Sequence, residues 1–174
     1  MLVNLTDVFS SEGKVIEREV SFERSELPYE GVPYPIRECT PVQLKLTNIG
    51  TGKVVVEAAL QVTAVLLCDR CLSEVEHVFD LQINRDVVSP DRASEEEVEE
   101  QEGFMEGYEL NIDDLINNEI MTCWPMKVLC RQDCKGICPV CGQDLNEGTC
   151  GCDTFVPDPR MAAIMDVFNA NKEV

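Results

Sequence analysis

Ten cysteines lie among 174 residues, and their spacing says what they can do. Six of them fall between Cys130 and Cys152, two more form the pair Cys68 and Cys71, and Cys39 and Cys123 stand alone. Two thiolates spaced C-x-x-C reach one ion from a single tight turn, and four complete the tetrahedron that zinc prefers. Cys138-Pro139-Val140-Cys141-Gly142 has this form. The glycine after the second cysteine lets the backbone turn back, so that its amides face the sulfurs. Cys150-Gly151-Cys152 follows after eight intervening residues, and Gly151 removes the steric objection to a C-x-C pair on one ion. Cys138, Cys141, Cys150 and Cys152 therefore read as one closed four-cysteine zinc site.

A second set has two unmatched halves. Cys68-Asp69-Arg70-Cys71 sits between two alternating apolar runs, at what must be the tip of a hairpin. Cys130 and Cys134, spaced C-x-x-x-C, precede the first site and offer the other half. Joined, these four would clamp the C-terminal part of the chain onto the β-domain, with Arg70 offsetting thiolate charge. A different arrangement puts Cys134 in the terminal site and leaves Cys130 or Cys150 free, and spacing alone leaves both arrangements open. Two structural Zn2+ ions are expected, one at minimum.

Other chemistries for thiols fit less well. Free cysteine is among the most buried residue types, a reading that suits Cys39 and Cys123 beside their apolar neighbours but not eight cysteines in polar, glycine-rich surroundings. Redox pairs draw a low thiol pKa from a helix N-terminus, whereas Cys68 and Cys71 lie between strands. Catalytic zinc sites commonly use histidine and carboxylate ligands with an open position. The single histidine, His77, shares its face with Phe79 and Leu81 and reads as a half-buried core residue. With no serine nucleophile motif, phosphate-cradling loop or dinucleotide fingerprint in sight, the chain does not read as an enzyme.

Two kinds of element must position these cysteines. Before residue 90 the apolar period is two: Val56, Ala58, Leu60, Val62, Ala64 and Leu66 share one face, as do Val75, His77, Phe79, Leu81 and Ile83. Val42, Leu44 and Leu46 alternate with polar residues, and Val20-Ser21-Phe22-Glu23 repeats the pattern. Asn48-Ile49-Gly50-Thr51-Gly52 marks a turn. Half-buried antiparallel strands follow, as a small barrel or sandwich in an α+β fold. After residue 110 the period lengthens. Asn111 or Asp113 can cap a helix with an Ile112, Leu115, Ile116 and Ile120 stripe that Pro125 ends. Asp158-Pro159 announces a second helix, its buried face being Met161, Ile164, Met165 and Phe168. Between the two helices the cysteine cluster has too few apolar residues for a core of its own, and metal substitutes for one.

Charge completes the outline. Fourteen basic and thirty-three acidic residues leave a net charge of −19, which argues against a general grip on phosphate backbone or on anionic membranes. Residues 91–110 hold nine acidic side chains and one basic one, with few large apolar groups, and read as a solvated loop or linker. The expected organisation is a β-domain over 1–90, that linker over 91–110, and over 111–174 a helix, the zinc-bound cluster and a C-terminal helix packing back on the β-domain. The longest stretch without charge, residues 58–68, is too short to span a bilayer as a helix. No secretory signal pattern opens the sequence, so a cytoplasmic location is expected.

Cys68-Asp69-Arg70-Cys71-Leu72 resembles the C-x-R-C-L signature of the YceD family, the large ribosomal RNA subunit accumulation proteins. The run from Cys130 through Cys134, Cys138-Pro139-Val140-Cys141-Gly142 and Asp144-Leu145-Asn146 is similar to the cysteine-rich form of that family, as is Asp158-Pro159-Arg160 before an apolar helix. The resemblance covers roughly residues 15–168. It implies a bacterial cytosolic protein without enzymatic activity that supports accumulation of large-subunit (23S) rRNA. The implied partner is a large-subunit ribosomal protein or a pre-ribosomal particle, with no membrane and no small-molecule substrate. Two mechanisms are compatible with an acidic chain. It can shield a basic ribosomal protein, with the acidic stretch steering association. It can instead touch RNA through a local basic spot at Arg70, Lys127, Arg131, Lys135 and Arg160. A third reading is a zinc-thiolate regulator or adaptor that changes partners on oxidation.

Overall fold

The computed structural model describes residues 1–153. In chain order the elements are β1 (Leu2–Asn4), α1 (Thr6–Phe9), β2 (Val15–Val20), β3 (Glu26–Tyr29), β4 (Val32–Cys39), β5 (Val42–Gly50), β6 (Lys53–Leu67), β7 (Glu74–Val88), α2 (Glu95–Gln101), β8 (Met105–Glu106), β9 (Glu109–Asn111) and α3 (Ile112–Thr122). The helix expected from Asp158-Pro159, with Met161, Ile164, Met165 and Phe168, lies outside the described residues.

β6 and β7 are the spine. Both are fifteen residues long and pair antiparallel over their full length, from Lys53↔Val88 to Leu67↔Glu74. The other edge of β6 is shared: β5 pairs with its first half and β4 with its second, while β2 pairs β5 and β3 pairs β4. The result is a curled, antiparallel half-barrel. Period two explains which face closes. Val54, Val56, Ala58, Leu60, Val62, Ala64 and Leu66 are buried along β6, as are Phe79, Leu81 and Ile83 along β7 and Val42, Leu44 and Leu46 along β5. The turn from β5 to β6 places Thr51 at φ 55° and Gly52 at φ 76°, the left-handed pair that suits a two-residue hairpin turn.

α3 covers this concave face. Asn111 caps it by accepting from the amides of Asp113 and Asp114, and Ile112, Leu115, Ile116 and Ile120 are its buried stripe. Each such side chain contributes ~1.5–3 kcal/mol by leaving water. The helix ends at Thr122, before Pro125. Trp124 follows at the rim, stacked on Tyr29 with ring centroids 4.1 Å apart and close to Tyr34 and Phe79.

The chain divides into two compact units, but not at residue 90. One unit is Met1–Leu67 with Glu74–Val128; the other is Cys68–Ser73 with the described residues from Leu129 onward. The end of the acidic stretch shares a sheet with the first residues of the chain, because β9 lies between β1 and β8. The α3 stripe belongs to the same core as the half-barrel. That shared burial, invisible to a reading of local composition, sets the division.

The acidic stretch 91–110 is also more ordered than a solvated linker. Ser94 accepts from the Glu97 amide, the Glu97 carboxylate accepts from the Ser94 amide, and this capping box starts α2. Glu97 also pairs with Lys53 at 3.1 Å, and its carboxyl is held below the usual range by the Ser94 amide first and by Lys53. Gln101 is buried and accepts from the Val88 amide at 3.0 Å. Two inward polar anchors thus hold a helix whose exposed surface is four glutamates and Val98. Among the described residues no helix is long and apolar enough to cross a membrane.

Candidate metal centres

All eight clustered cysteines belong to the second unit, which is built on two turns of one design. In the first, the Leu72 amide donates to the Cys68 carbonyl at 2.9 Å and the Cys68 amide donates to the Ser73 carbonyl at 2.8 Å. In the second, the Gly142 amide donates to the Cys138 carbonyl and the Cys138 amide to the Gln143 carbonyl, both at 2.9 Å. The residue after the second cysteine is left-handed in each, Leu72 at φ 60° and Gly142 at φ 74°. This bends the chain back over the sulfurs and points amides at them.

The first turn meets Cys130 and Cys134. The Sγ atoms of Cys68, Cys71, Cys130 and Cys134 all lie within 4.8 Å of one another, with Cys68 3.8 Å from Cys134 and Cys71 3.5 Å from Cys130. A tetrahedron with zinc–sulfur bonds of about 2.3 Å has edges of about 3.8 Å. Arg70 donates to the Cys134 carbonyl at 2.6 Å, and Ser73 Oγ lies 3.0 Å from the Cys71 sulfur. Asn146 Nδ2 donates to the Cys134 sulfur at 3.3 Å, while its Oδ1 accepts from the Lys135 amide. Such contacts orient ligands and share their charge. Gly136 is buried at φ 79°, with the Arg70 carbonyl 3.0 Å from where a Cβ would stand, so a side chain there would push the two halves apart.

The second quartet is Cys138, Cys141, Cys150 and Cys152, again with all Sγ atoms within 4.8 Å. Asp144 pairs with Ile137 in an isolated bridge and accepts from the Asn146 amide, which fixes the chain between the halves. Cys134 lies in the first quartet, so the grouping is two sets of four with neither Cys130 nor Cys150 left over.

The electrostatics of both quartets fit a dication. Burial opposes the Cys68 thiolate most strongly, yet donation from the Cys130, Arg70 and Cys71 amides prevails and draws the thiol down to about 6. Cys138 is likewise drawn to about 6, by the Cys141 and Val140 amides. Desolvation and then the neighbouring thiols push Cys130 up to about 12, and the Cys141 sulfur and then desolvation do the same to Cys152. Crowded thiols ionise unequally in this way, because each thiolate disfavours the next. A divalent cation is the charge that lets all four ionise together, and an all-sulfur, four-coordinate set with no carboxylate or imidazole among the ligands suits zinc in a structural role.

Comparison with known proteins bears on both turns at once. The family described as "Large ribosomal RNA subunit accumulation protein YceD" matches residues 56–168. The chain belongs to the YceD family. Its curated relatives include an uncharacterized protein of Mycobacterium tuberculosis and one of Mycobacterium bovis, each 27% identical over 133 residues, covering 76% of this chain and 63% of theirs. The chain thus spans less than two thirds of the length of these relatives. No solved structure matches. The family's description ties it to accumulation of large-subunit ribosomal RNA.

Of the basic candidates in this YceD protein, Arg70 lies against the first quartet through the Cys134 carbonyl. Arg131 is exposed and pairs with Asp133 at 3.7 Å; Lys135 and Lys127 are exposed; Arg160 lies outside the described residues. His77 is half-buried, edge-on to Phe79 at 4.7 Å. Cys39 is half-buried, its thiol raised by burial. Cys123, expected to be buried among apolar neighbours, is exposed, because it is the C-cap that follows the last turn of α3. Sequence reasoning missed the Asn146 and Ser73 contacts. Asn146 had a local signal, since Asp144-x-Asn146 directly after a C-x-x-C-G turn is a typical Asx arrangement.

Proposed function

We propose that this chain is a non-enzymatic ribosome biogenesis factor that supports accumulation of large-subunit 23S rRNA by binding a basic large-subunit ribosomal protein, or an assembly intermediate containing it, in the cytoplasm. Two structural zinc ions, one in each cysteine quartet, hold its second unit in shape. The observation that carries the reading is family membership combined with the sign of the surface. In a chain at −19, several of the cations among the described residues are committed to acidic neighbours: Lys45 to Glu57, Lys53 to Glu97, Arg85 to Glu119, Arg24 to Asp114 and Arg37 to Glu74 and Glu76. Such a surface attracts a basic protein and repels free RNA. Direct RNA contact would fall to Arg70, Lys127, Arg131, Lys135 and Arg160. Yet Arg70 is turned onto the Cys134 carbonyl and Arg131 onto Asp133.

The test is a tagged pull-down from growing cells, split into RNase-treated and untreated halves and washed across a salt series. A ribosomal protein retained after RNase supports the reading. Retention of precursor rRNA alone, lost on RNase treatment and on changing Lys127, Arg131 and Lys135 to glutamate, would replace it with an RNA-binding one.

A further inference from the structure

We infer that α2 and β8 form a docking cleft for a short Lys/Arg-rich segment of a partner protein that inserts one apolar side chain. This inference rests on the protein-binding reading above and says where on the chain the partner sits. The cleft, about 140 Å3, is lined by Val88, Pro90, Ala93, Val98 and Met105, with Glu102 among its walls. That is close to the about 150 Å3 of a protein cavity that takes up benzene, so it suits one leucine or phenylalanine side chain. Val98 is 50% exposed, a large aliphatic group left uncovered beside this opening in a helix whose other residues are five glutamates and the buried Gln101.

Charge selects the occupant. Glu95, Glu96, Glu99, Glu100, Glu102 and Glu106 are all exposed, and no ion pair joins any of them to a cation among the described residues; Glu97, turned inward to Lys53, is the exception. Glu95 and Glu99, and Glu96 and Glu100, are like charges one turn apart and disfavour the helix on its own. The last turn of α2 has acidic residues and no basic one, which places negative side chains at the negative end of the helix dipole. A cation at that end relieves both repulsions. An apolar notch inside such a rim favours a cationic segment with one apolar anchor over a purely cationic one.

The experiment uses the full zinc-loaded chain and two capped pentapeptides, Lys-Lys-Phe-Lys-Lys and Lys-Lys-Ala-Lys-Lys, followed by amide NMR titration at low and moderate salt. Saturable binding of the phenylalanine peptide is expected, with shifts at Ala93, Val98 and Met105, and at least tenfold weaker binding of the alanine peptide. Val98→Ser, an exposed change whose fold the spectrum itself checks, should remove most of that preference. Glu99→Gln with Glu102→Gln should weaken both peptides several-fold, while Glu17→Gln with Glu26→Gln, on β2 and β3, should change neither. Equal binding of the two peptides, or equal loss from the remote pair, overturns the cleft. Ribosomal-protein retention that V98S leaves unchanged in the pull-down also overturns the cleft and spares the protein-binding reading. Peptide binding that V98S abolishes, in a chain that retains no ribosomal protein, does the reverse.

Discussion

The two cysteine quartets share a turn design and a ligand set, and they differ in where their halves come from. In the second, all four ligands lie within residues 138–152. In the first, Cys71 meets Cys130 across 59 positions, and the tip of the β6–β7 hairpin supplies half the site. Cover differs in the same sense. Cys68, Cys71 and Cys134 are buried and Cys130 is exposed, whereas in the second quartet Cys138 alone is buried and Cys141 is exposed. A local site closes a short loop at little entropic cost and can assemble on its own. A distant one needs the rest of the fold to bring its halves together, and in return it ties distant segments. The same sulfur chemistry is therefore a fastener in one place and a self-contained core in the other.

Metal removal should expose the largest difference, between the two units. Apparent zinc binding in small metal-dependent domains is on the order of 10–16 kcal/mol. A strong chelator should therefore strip amide protection from residues 68–73 and 129–153 while the β6 and β7 core keeps its own, and hydrogen exchange read segment by segment checks this. Protection in residues 129–153 that survives complete zinc loss would remove the structural role. Next come single ligands. Cys141→Ser should lower the zinc content from two equivalents to one and leave residues 68–73 protected. Cys134→Ser should also cost one equivalent but loosen residues 68–73 and the Asn146 region together. If C141S frees the hairpin tip as well, the local site is not independent and the comparison fails.

How much of this was legible beforehand follows the same line between local and distant. The C-x-x-C-G turn, the period-two faces of β5 to β7 and the Asn111 cap are local patterns, and they stand in the structure as read. The Cys68 and Cys71 pair was visible, but its match to Cys130 and Cys134 was an inference from leftovers, since no spacing rule reaches across 59 residues. The acidic stretch hid Ser94 and Glu97 because one capping glutamate looks like its acidic neighbours until its partners are known. β1 and β9 are three residues each and take their stability from each other across the chain, so neither carried a signal of its own.

Acid should treat the quartets alike despite their different cover. Cys68 and Cys138 are each drawn from an ordinary 9.0 to about 6. A lowered thiol pKa stabilises the fold fully above the unfolded value, and that contribution is lost as pH falls through the folded one. Protons then compete with metal for the anchoring sulfur. Both zinc equivalents should leave together as pH drops below about 6, followed with a metallochromic dye on wild type, C134S and C141S. A second quartet that empties more than a unit higher would mean that burial, rather than amide donation, sets proton competition.

The smallest expected effect lies in the residue that follows the second cysteine of each turn. Leu72 and Gly142 hold the same left-handed position, at a cost of roughly 1–2 kcal/mol for a residue with a Cβ. Gly142 has open space where a Cβ would stand, so Gly142→Ala should show the backbone cost alone, about 1 kcal/mol, or roughly fivefold weaker zinc retention at the second site in chelator competition. Leu72 is 59% exposed and gives up little burial, so Leu72→Gly should tighten the first site by less than that, because glycine also frees the unfolded chain. An unchanged G142A site would show that the turn tolerates the strain. A weaker site in L72G would give the exposed leucine a holding role in the first turn that its strained backbone had masked.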